Sequence, residues 1–484
     1  LWITEPEQQL PLTETRVQEI YSAVTLIQQF TLWLPNSADP GPVLLRFRRL
    51  LDTLLRKGNH IHSASILRNP EVLQRVARVL GLSRHLWEDA LQHDSYLIPL
   101  LAAPDMLISP ADAPTLRQEA EAALQPIHGQ SPQRAAEVLN LFKDRHLFRI
   151  ELRHVLGHCQ SFGDFSQEVT TLAEISLEMA AALAWAELSQ QAMFGKSVPN
   201  CPWTLAGLGK FGGVEMGYAS DIELLMIYDS ADHQRDGRWF ERLLTKTKEI
   251  VASRRDGIFE IDLRMRPWGQ AGSAAVSLQQ FQSYYSSTGN AWPYERQSLL
   301  KLRTFGSNAE FGRKIMSVRD RLIYDGHRFD FAAMSGLREQ QVRQHVQPGT
   351  IHAKLSEGCL VDIEYSVQAL QLMYGHTLLS LRTANTLNAL EAVQQSGLLP
   401  KVLCESSRDA YAYFRQLIDC LRMVRGNAKD LQVPAEATQG RARLERRLAQ
   451  IYSDEVSLSE LNSRRSVVTQ LVTAVRETAS RYKH

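Results

Sequence analysis

The chain has 484 residues, 44% hydrophobic and 22% charged, and its 54 basic residues nearly balance 53 acidic ones. This length exceeds what one compact core usually holds, so two or three domains are expected. The composition is that of a soluble globular protein, and the charge balance gives no reason to expect a nucleic acid as partner. Five cysteines without a C-x-x-C pair indicate a reducing, cytoplasmic environment.

No segment has the pattern of a membrane anchor or a signal peptide. The most apolar helical stretch, residues 172–188, is interrupted by Glu174, Glu178 and Glu187, which argues against a membrane span. The first residues, L-W-I-T-E-P-E, lack the basic and apolar regions of a signal peptide. The chain also begins without a methionine, as a fragment of a longer protein would.

The first 195 residues form the first predicted region, in which apolar residues recur at helical spacing. Asn69 before Pro70 predicts the start of one helix. A second helix is expected to end at Gly157, and a third to be capped by Ser166.

The periodicity changes between Trp203 and Arg266, which defines a second predicted region at residues 196–310. Three short, β-rich runs occur there, W-T-L-A-G-L, I-E-L-L-M-I-Y and I-F-E-I-D-L-R-M-R, with a helical segment between the last two. The pattern predicts a small mixed sheet with a crossover helix. Helices return in residues 311–484, one of them ended by Gly375, so the predicted fold class is α+β and mostly helical.

Three carboxylates are the strongest chemical signal of the chain. Asp221 and Glu223 stand two apart at the start of a strand and therefore project from one face, which Asp262 can join from a neighbouring strand. Such a group is strongly repulsive unless a cation neutralises it. Oxygen ligands suit Mg²⁺ or Mn²⁺, so the pattern predicts metal-assisted nucleotidyl transfer.

The glycine-rich turn before these carboxylates indicates phosphate binding. Gly207 and Gly209 would let backbone N–H groups approach phosphate oxygens. Lys210 would meet the β- or γ-phosphate. Arg264 and Arg266, two apart and on the same strand face as the third carboxylate, are predicted phosphate clamps.

Other phosphate and metal sites fit the sequence less well. No Ser or Thr follows Lys210, so the turn is not a P-loop, and it is expected to open no helix, which excludes a dinucleotide fingerprint. A His-Asp pair at 93–94 lacks the companions of a metal phosphohydrolase. Glu151, His154 and His158 have a helical spacing that could hold a metal, but the prediction for them is a solvated helix face.

Together these residues resemble a known family. The run G-L-G-K-F-G-G-V-E-M-G-Y-A-S-D-I-E-L resembles the signature of bacterial glutamine synthetase adenylyltransferase, whose two halves add AMP to a tyrosine of glutamine synthetase and remove it. Residues 260–272, 294–303 and 355–372 resemble its later blocks, and the similarity covers most of residues 45–433. The resemblance implies a polymerase-β-like nucleotidyltransferase domain flanked by helical bundle domains.

The resemblance also implies roles for single residues, substrates and partners. The metal ligands would be Asp221, Glu223 and Asp262, and the nucleotide contacts would include Gly209, Lys210 and Ser220. ATP would be the donor in the forward direction, and phosphate would release ADP in the reverse direction. Glutamine synthetase would be the protein substrate, with a PII-type signal protein as a further possible partner.

The direction of reaction and three departures from the family pattern stay open at this level. G-Y-A-S-D favours the transferring half, whereas Q-S-Y-Y-S-S-T-G-N favours the removing half. Glu223 replaces an aspartate, and Pro293 enlarges the segment before the third block. Cys359 replaces a glycine, which would strain the backbone if that position needs a positive φ. Two alternatives are therefore an inactive domain that binds glutamine synthetase or a signal protein, and a uridylyl-transferring relative.

Overall fold

The computed structural model describes residues 14–56, 66–82, 86–88, 101–103, 109–110, 112–127, 131–159, 161–192, 198–253, 259–325, 329–425, 429–452 and 456–482. Contacts divide the chain into two compact units, Leu1–Ile108 and Ser109–His484. The predicted boundaries after residues 195 and 310 stay predictions. His93 and Asp94 lie outside the described residues.

Three α-helices of the first unit have both ends within the described residues. The Asn69 side chain accepts the N–H of Glu71 at 2.9 Å, which confirms the predicted cap. Phe30 and Phe47 stack with their ring centroids 3.6 Å apart and join two of the helices. The helices are α1 (Glu14–Trp33), α2 (Pro40–Arg56) and α3 (Pro70–Leu82).

The second unit contains a five-stranded sheet and most of the helices. The strands are β1 (Trp203–Gly207), β2 (Ile222–Tyr228), β3 (Ile261–Asp262), β4 (Ala275–Ser277) and β5 (Arg303–Phe305). The helices are α4 (Ala113–Leu124), α5 (Pro132–Val155), α6 (Phe162–Ala192), α7 (Gly209–Gly212), α8 (His233–Ile250), α9 (Leu278–Tyr285), α10 (Pro293–Ser298), α11 (Ala309–Ile323), α12 (Phe331–His345), α13 (Leu360–Tyr374), α14 (Thr386–Ser396), α15 (Lys401–Arg425), α16 (Gln439–Tyr452) and α17 (Leu461–Arg481).

The sheet is mixed, as the sequence predicts. Strands β1 and β2 are antiparallel, with Trp203 opposite Tyr228, and β5 pairs antiparallel with the other side of β1. The first half of β2 pairs in parallel with β3 and its second half in parallel with β4. The helix α8 crosses over between β2 and β3, which confirms the predicted crossover. The short strands β4 and β5 are not among the predicted runs.

Helices cover both faces of β2, which explains its continuous apolar sequence. Leu225 and Ile227 point to one face, into a core shared with α9 and α11. Tyr228 points to the other face and stacks on Phe240 of α8, with ring centroids 4.5 Å apart. Because side chains alternate along a strand, Glu223, near the start of β2, projects to the same face as Leu225.

The long helix α6 belongs to the core of the second unit, although its length and composition would also suit a membrane span. Residues Phe162–Gln190 are long and apolar enough to cross a membrane, but 56% of the most apolar window is buried inside the protein. Its glutamates are paired: Glu174 with Arg303, Glu178 with Arg117 at 2.7 Å and Glu187 with Lys246 at 2.9 Å. These ion pairs tie α6 to the sheet, to α4 and to α8.

Two predicted helix ends are confirmed and one predicted cap is wrong. The backbone at Gly157 has φ +79 after α5, and Gly375 follows α13 directly. Ser166 lies inside α6, because Ser161 and Asp164 already exchange hydrogen bonds one turn earlier, at 2.8 and 3.2 Å. This reciprocal pair is a capping box, and it sets the start of the helix.

Candidate active site

Two of the three predicted carboxylates lie on neighbouring strands, and the third directly precedes one of these strands. In the parallel pair of β2 and β3, Glu223 lies opposite Asp262. Asp221 precedes β2 and is exposed, whereas Glu223 is half-buried. In the described part of the chain no three His, Cys, Asp or Glu side chains already converge closely enough to hold a metal ion.

Burial and the neighbouring carboxylates both disfavour the ionised form of Glu223. Burial first, and then the charges of Asp221 and Asp262, raise the pKa of Glu223 to about 7. Lys354 and Lys210 act in the opposite direction but do not cancel this effect. The site therefore carries an excess of closely placed negative charge that a divalent cation would offset.

The side chain of Asp262 is held by Arg264. Its Oδ1 accepts the backbone N–H of Arg264 at 2.9 Å, and the guanidinium donates to both carboxylate oxygens at 2.6 to 2.9 Å. Burial alone would raise the pKa of Asp262, but these hydrogen bonds outweigh it and hold the pKa below its usual value.

The predicted strand through residues 258–266 is much shorter than expected. The Asx turn at Asp262 ends β3 there, so the alternation that placed Arg264 and Arg266 on one strand face does not apply. Arg266 instead donates to the carbonyls of Leu263 and Gly269, at 2.8 and 3.0 Å. In this structure both arginines bind the protein itself.

The glycine turn lies directly against the carboxylates. Gly209 has φ +50, and a Cβ at this position would overlap the carboxylate of Glu223. The space at Gly207 is filled by the ring of Phe211, 2.7 Å from where a Cβ would stand. Contrary to the prediction, the turn does open a helix, the single turn α7, because the N–H of Gly212 reaches the carbonyl of Leu208 at 2.8 Å.

Lys210 and Ser220 occupy different environments in this turn. Burial, followed by the charges of Arg415, Lys354 and Arg422, lowers the pKa of Lys210 well below its usual value. Its ammonium has no hydrogen-bond partner in the described part of the chain. Ser220 is buried, and its hydroxyl accepts the N–H of Gly217 at 2.9 Å, so its observed contact is within the loop.

Side chains from distant parts of the sequence bind the outer carbonyls of the turn and the loop that follows it. Because its carbonyls are occupied in this way, the turn is held in one orientation. The pairs are Arg303 to Gly212 at 2.9 Å, Asn385 to Gly213 at 2.9 Å, Arg415 to Glu215, and Arg422 to Tyr218 at 2.7 Å.

A buried ion pair anchors the same loop. Lys301 donates to both carboxylate oxygens of Glu215, at 2.8 and 2.9 Å, and to the hydroxyl of Thr386 at 2.8 Å. The backbone N–H of Thr386, the first residue of α14, also donates to Glu215. Burial would raise the pKa of Glu215, but Lys301 and Arg415 outweigh it and lower the pKa.

The sequence prediction missed this supporting group, although α15 carries a signal for it. Arg415, Asp419 and Arg422 recur at helical spacing among apolar residues, so their charges lie on the buried face. Asp419 reaches the loop, since a Cβ at Gly217 would stand 2.6 Å from its Oδ1. Charged residues on the apolar face of a helix could have identified the group.

Two further expectations are corrected by the structure. Glu151 and His154 are buried instead of solvated, and His154 bonds to the Tyr452 hydroxyl at 2.9 Å while burial lowers its pKa to about 4. Cys359 has φ −114 and is unstrained, because the preceding Gly358 takes the positive φ of +74.

A glycine turn against carboxylates on adjacent strands is an arrangement typical of nucleotidyl-transferring domains. The chain belongs to the glutamate-ammonia ligase adenylyltransferase family, whose model matches residues 73–317. A second model, described as GlnD PII-uridylyltransferase, matches residues 330–478.

Relatives support the same family. The chain is 27% identical to the bifunctional glutamine synthetase adenylyltransferase/adenylyl-removing enzyme of Streptomyces coelicolor, over 84% of this chain and 42% of the relative. It is 30% identical to the enzyme of the same name from Hahella chejuensis, over 58% of this chain and 30% of the relative. That of Neisseria meningitidis is 27% identical over 78% of this chain and 41% of its own length. The chain thus spans about two fifths or less of the length of these relatives.

Proposed function

We propose that this chain is one catalytic half of a cytoplasmic glutamine synthetase adenylyltransferase/adenylyl-removing enzyme. The observation that carries the proposal is the pairing of Glu223 with Asp262, next to Asp221 and against the glycine turn. The mixed sheet, with carboxylates at the start of its central strand, supports a polymerase-β-like nucleotidyltransferase domain.

The donor atoms suit a hard divalent cation. Asp221, Glu223 and Asp262 offer only carboxylate oxygens, and burial, followed by the charges of Asp221 and Asp262, raises the pKa of Glu223. These residues would hold Mg²⁺ or Mn²⁺, which would supply charge neutralisation at the reacting phosphate. To bind the cation, Asp262 would have to give up the hydrogen bonds that it accepts from Arg264.

The reaction follows from this assignment. In the forward direction a tyrosine oxygen of the target bonds to the α-phosphorus of ATP, the bond to the bridging oxygen breaks, and pyrophosphate leaves. In the reverse direction an oxygen of phosphate bonds to the phosphorus of the AMP–tyrosine linkage, the bond to the tyrosine oxygen breaks, and the products are ADP and the free tyrosine. The glycine turn orients the phosphates, and Lys210 binds their charge. Both directions use the same groups, so the geometry favours neither.

The alternative of an inactive binding domain depended on two departures from the family pattern, Cys359 and Glu223. The first no longer supports it, since Cys359 is unstrained. The replacement of aspartate by Glu223 remains, and its carboxylate fills the space beside Gly209. The match of residues 330–478 to a PII-uridylyltransferase model supports a PII-type signal protein as a partner of the C-terminal helices.

Incubation with glutamine synthetase, magnesium and α-labelled ATP tests the forward direction, and an adenylylated sample with phosphate tests the reverse. Label on glutamine synthetase marks the transferring half, and ADP release marks the removing half. Asp221→Asn should lower either activity at least about a hundredfold without altering the fold. Asp409→Asn, at a carboxylate 71% exposed, is the matched control. Silence in both assays, or normal turnover of D221N, contradicts the proposal.

A further inference from the structure

We infer that Arg422, on α15, is a positioning residue for the proposed metal site. It holds the turn that precedes Asp221 in a conformation that the sequence of the turn disfavours. The inference rests on the proposed nucleotidyl transfer, and it adds to the site a residue from outside the predicted catalytic region, residues 196–310.

A tight turn of four residues, 217–220, leads directly into the first carboxylate of the site. The N–H of Ser220 donates to the carbonyl of Gly217 at 3.2 Å, and the N–H of Gly217 donates to the Ser220 hydroxyl at 2.9 Å. Ala219, the third residue, has φ +55, whereas Tyr218, the second, does not have a positive φ. These features define a type II turn, whose third position favours glycine or asparagine.

Alanine at this third position favours another form of the turn. In a type I turn the third residue has a negative φ, and the peptide between the second and third residues is rotated by roughly half a turn relative to type II. A left-handed conformation is unfavourable for a residue that carries a Cβ. Without an outside contact the turn at Ala219 should therefore relax, and the carbonyl of Tyr218 would point in a different direction.

Arg422 supplies that contact from α15. Its Nη1 donates to the carbonyl of Tyr218 at 2.7 Å, across 204 residues of sequence, and the residue is 7% exposed. A charged donor forms one of the stronger hydrogen bonds, and its loss would leave a buried group unsatisfied. The same helix packs against the start of the turn, since a Cβ at Gly217 would stand 2.6 Å from Oδ1 of Asp419. The bond therefore favours the orientation that alanine alone disfavours.

Backbone hydrogen bonds connect the turn to the position of Asp221. The carbonyl of Ser220 accepts the N–H of Phe259 at 2.9 Å, and the N–H of Ile222 donates to the carbonyl of Glu260 at 2.8 Å. These two bonds begin the parallel pairing of β2 with β3. Because one of them uses the last residue of the turn, a relaxed turn would displace the first carboxylate relative to those on the two strands.

The C-terminal helices therefore contribute to the site, although none of the predicted metal ligands lies on them. Backbone strain that the surrounding structure maintains is typical of functional sites. A displacement of α15 would release the turn and lower the affinity of the carboxylates for the cation.

Calorimetric titration with Mn²⁺, without nucleotide and at a temperature at which every variant is folded, tests this inference. Arg422→Met removes the donor and should weaken Mn²⁺ binding at least about tenfold. Ala219→Gly in the same background should recover at least about threefold, because glycine adopts a positive φ without strain. Arg425→Met is the matched control, since this guanidinium also lies on α15 and donates to a carbonyl, that of Gln432, at 2.6 Å. Its affinity should stay within about twofold of the wild type.

Two additions make the test independent of the stability of one variant. Hydrogen exchange of the metal-free protein should be at least about tenfold faster in R422M than in the wild type for peptides that cover residues 214–222. If R422M does not fold, Arg422→Lys takes its place, because it keeps a positive charge one helical turn from Asp419. Its ammonium lacks the fork of the guanidinium and should weaken Mn²⁺ binding at least about threefold.

Equal Mn²⁺ affinities of the wild type and the Arg422 variant overturn the inference. A loss that Ala219→Gly leaves unchanged also overturns it, because the loss would then not arise in the turn. Both results leave the proposed function intact, since a wild type that binds Mn²⁺ and transfers AMP keeps its metal site. A wild type that binds no Mn²⁺ overturns the proposed function, and this inference with it.

Discussion

Replacement of Lys301 by methionine tests whether the glycine turn depends on its buried ion pair. The side chains of Lys301 and Glu215 are only 10% and 4% exposed and meet at 2.8 Å. Methionine has a similar length but leaves the Glu215 carboxylate buried, with Thr386 and Arg415 as its remaining neighbours. Loss of one partner of a buried pair costs about 3–5 kcal/mol, a large part of the total stability of a domain.

The effect should be local, because Glu215 lies in the loop that follows the turn. Hydrogen exchange of peptides that cover residues 209–220 should lose about a hundredfold protection, which corresponds to about 3 kcal/mol. Lys314→Met is the matched control, because its ion pair with Asp229 is as short, 2.6 Å, but 55% and 37% exposed. Exposed pairs contribute about 0–1 kcal/mol.

A double-mutant cycle with Glu215→Gln separates the pair from the packing of each side chain. If the ion pair carries the effect, the double variant should recover at least about 1 kcal/mol relative to the sum of the single variants. Equal and small losses of protection in K301M and K314M would refute the argument, since burial would then add nothing to the pair.

Two further predictions concern a glycine and a histidine. Gly209→Ala should destabilise the folded protein by about 1–3 kcal/mol, because alanine is strained at this positive φ and its Cβ would clash with Glu223. Gly397→Ala, at φ +70 in open space, should cost less. Equal thermal unfolding midpoints of the two variants would contradict this prediction. Burial lowers the pKa of His154 from 6.5 to about 4. Between these pH values the imidazole of His154 therefore binds a proton in the unfolded chain but not in the folded protein. The free energy of unfolding should therefore be highest above pH 6.5 and fall by up to about 3 kcal/mol towards pH 4. Urea titrations of His154→Phe across this range should show a flatter slope than the wild type, whereas an unchanged slope assigns the loss to other groups.

The sequence by itself determined the local features of this protein. The runs W-T-L-A-G-L and I-E-L-L-M-I-Y predicted β1 and β2, because the preference for an extended strand acts within a short run of residues. Asn69 and Gly375 marked helix ends, because capping acts between neighbouring residues. The glycine turn and the pair Asp221 and Glu223 were recognisable together, since they lie close in sequence.

Only the tertiary structure decided which distant groups meet at the site. Arg415 binds the carbonyl of Glu215 across 200 residues of sequence, and Asn385 binds the carbonyl of Gly213 across 172. A helical period shows that a residue faces the core but does not show which element covers it. Asp262 illustrates the same limit, since its bond to Arg264 ends a strand that the sequence pattern continues. Burial and charge depend on the surfaces that pack together, and those surfaces exist only in the folded chain.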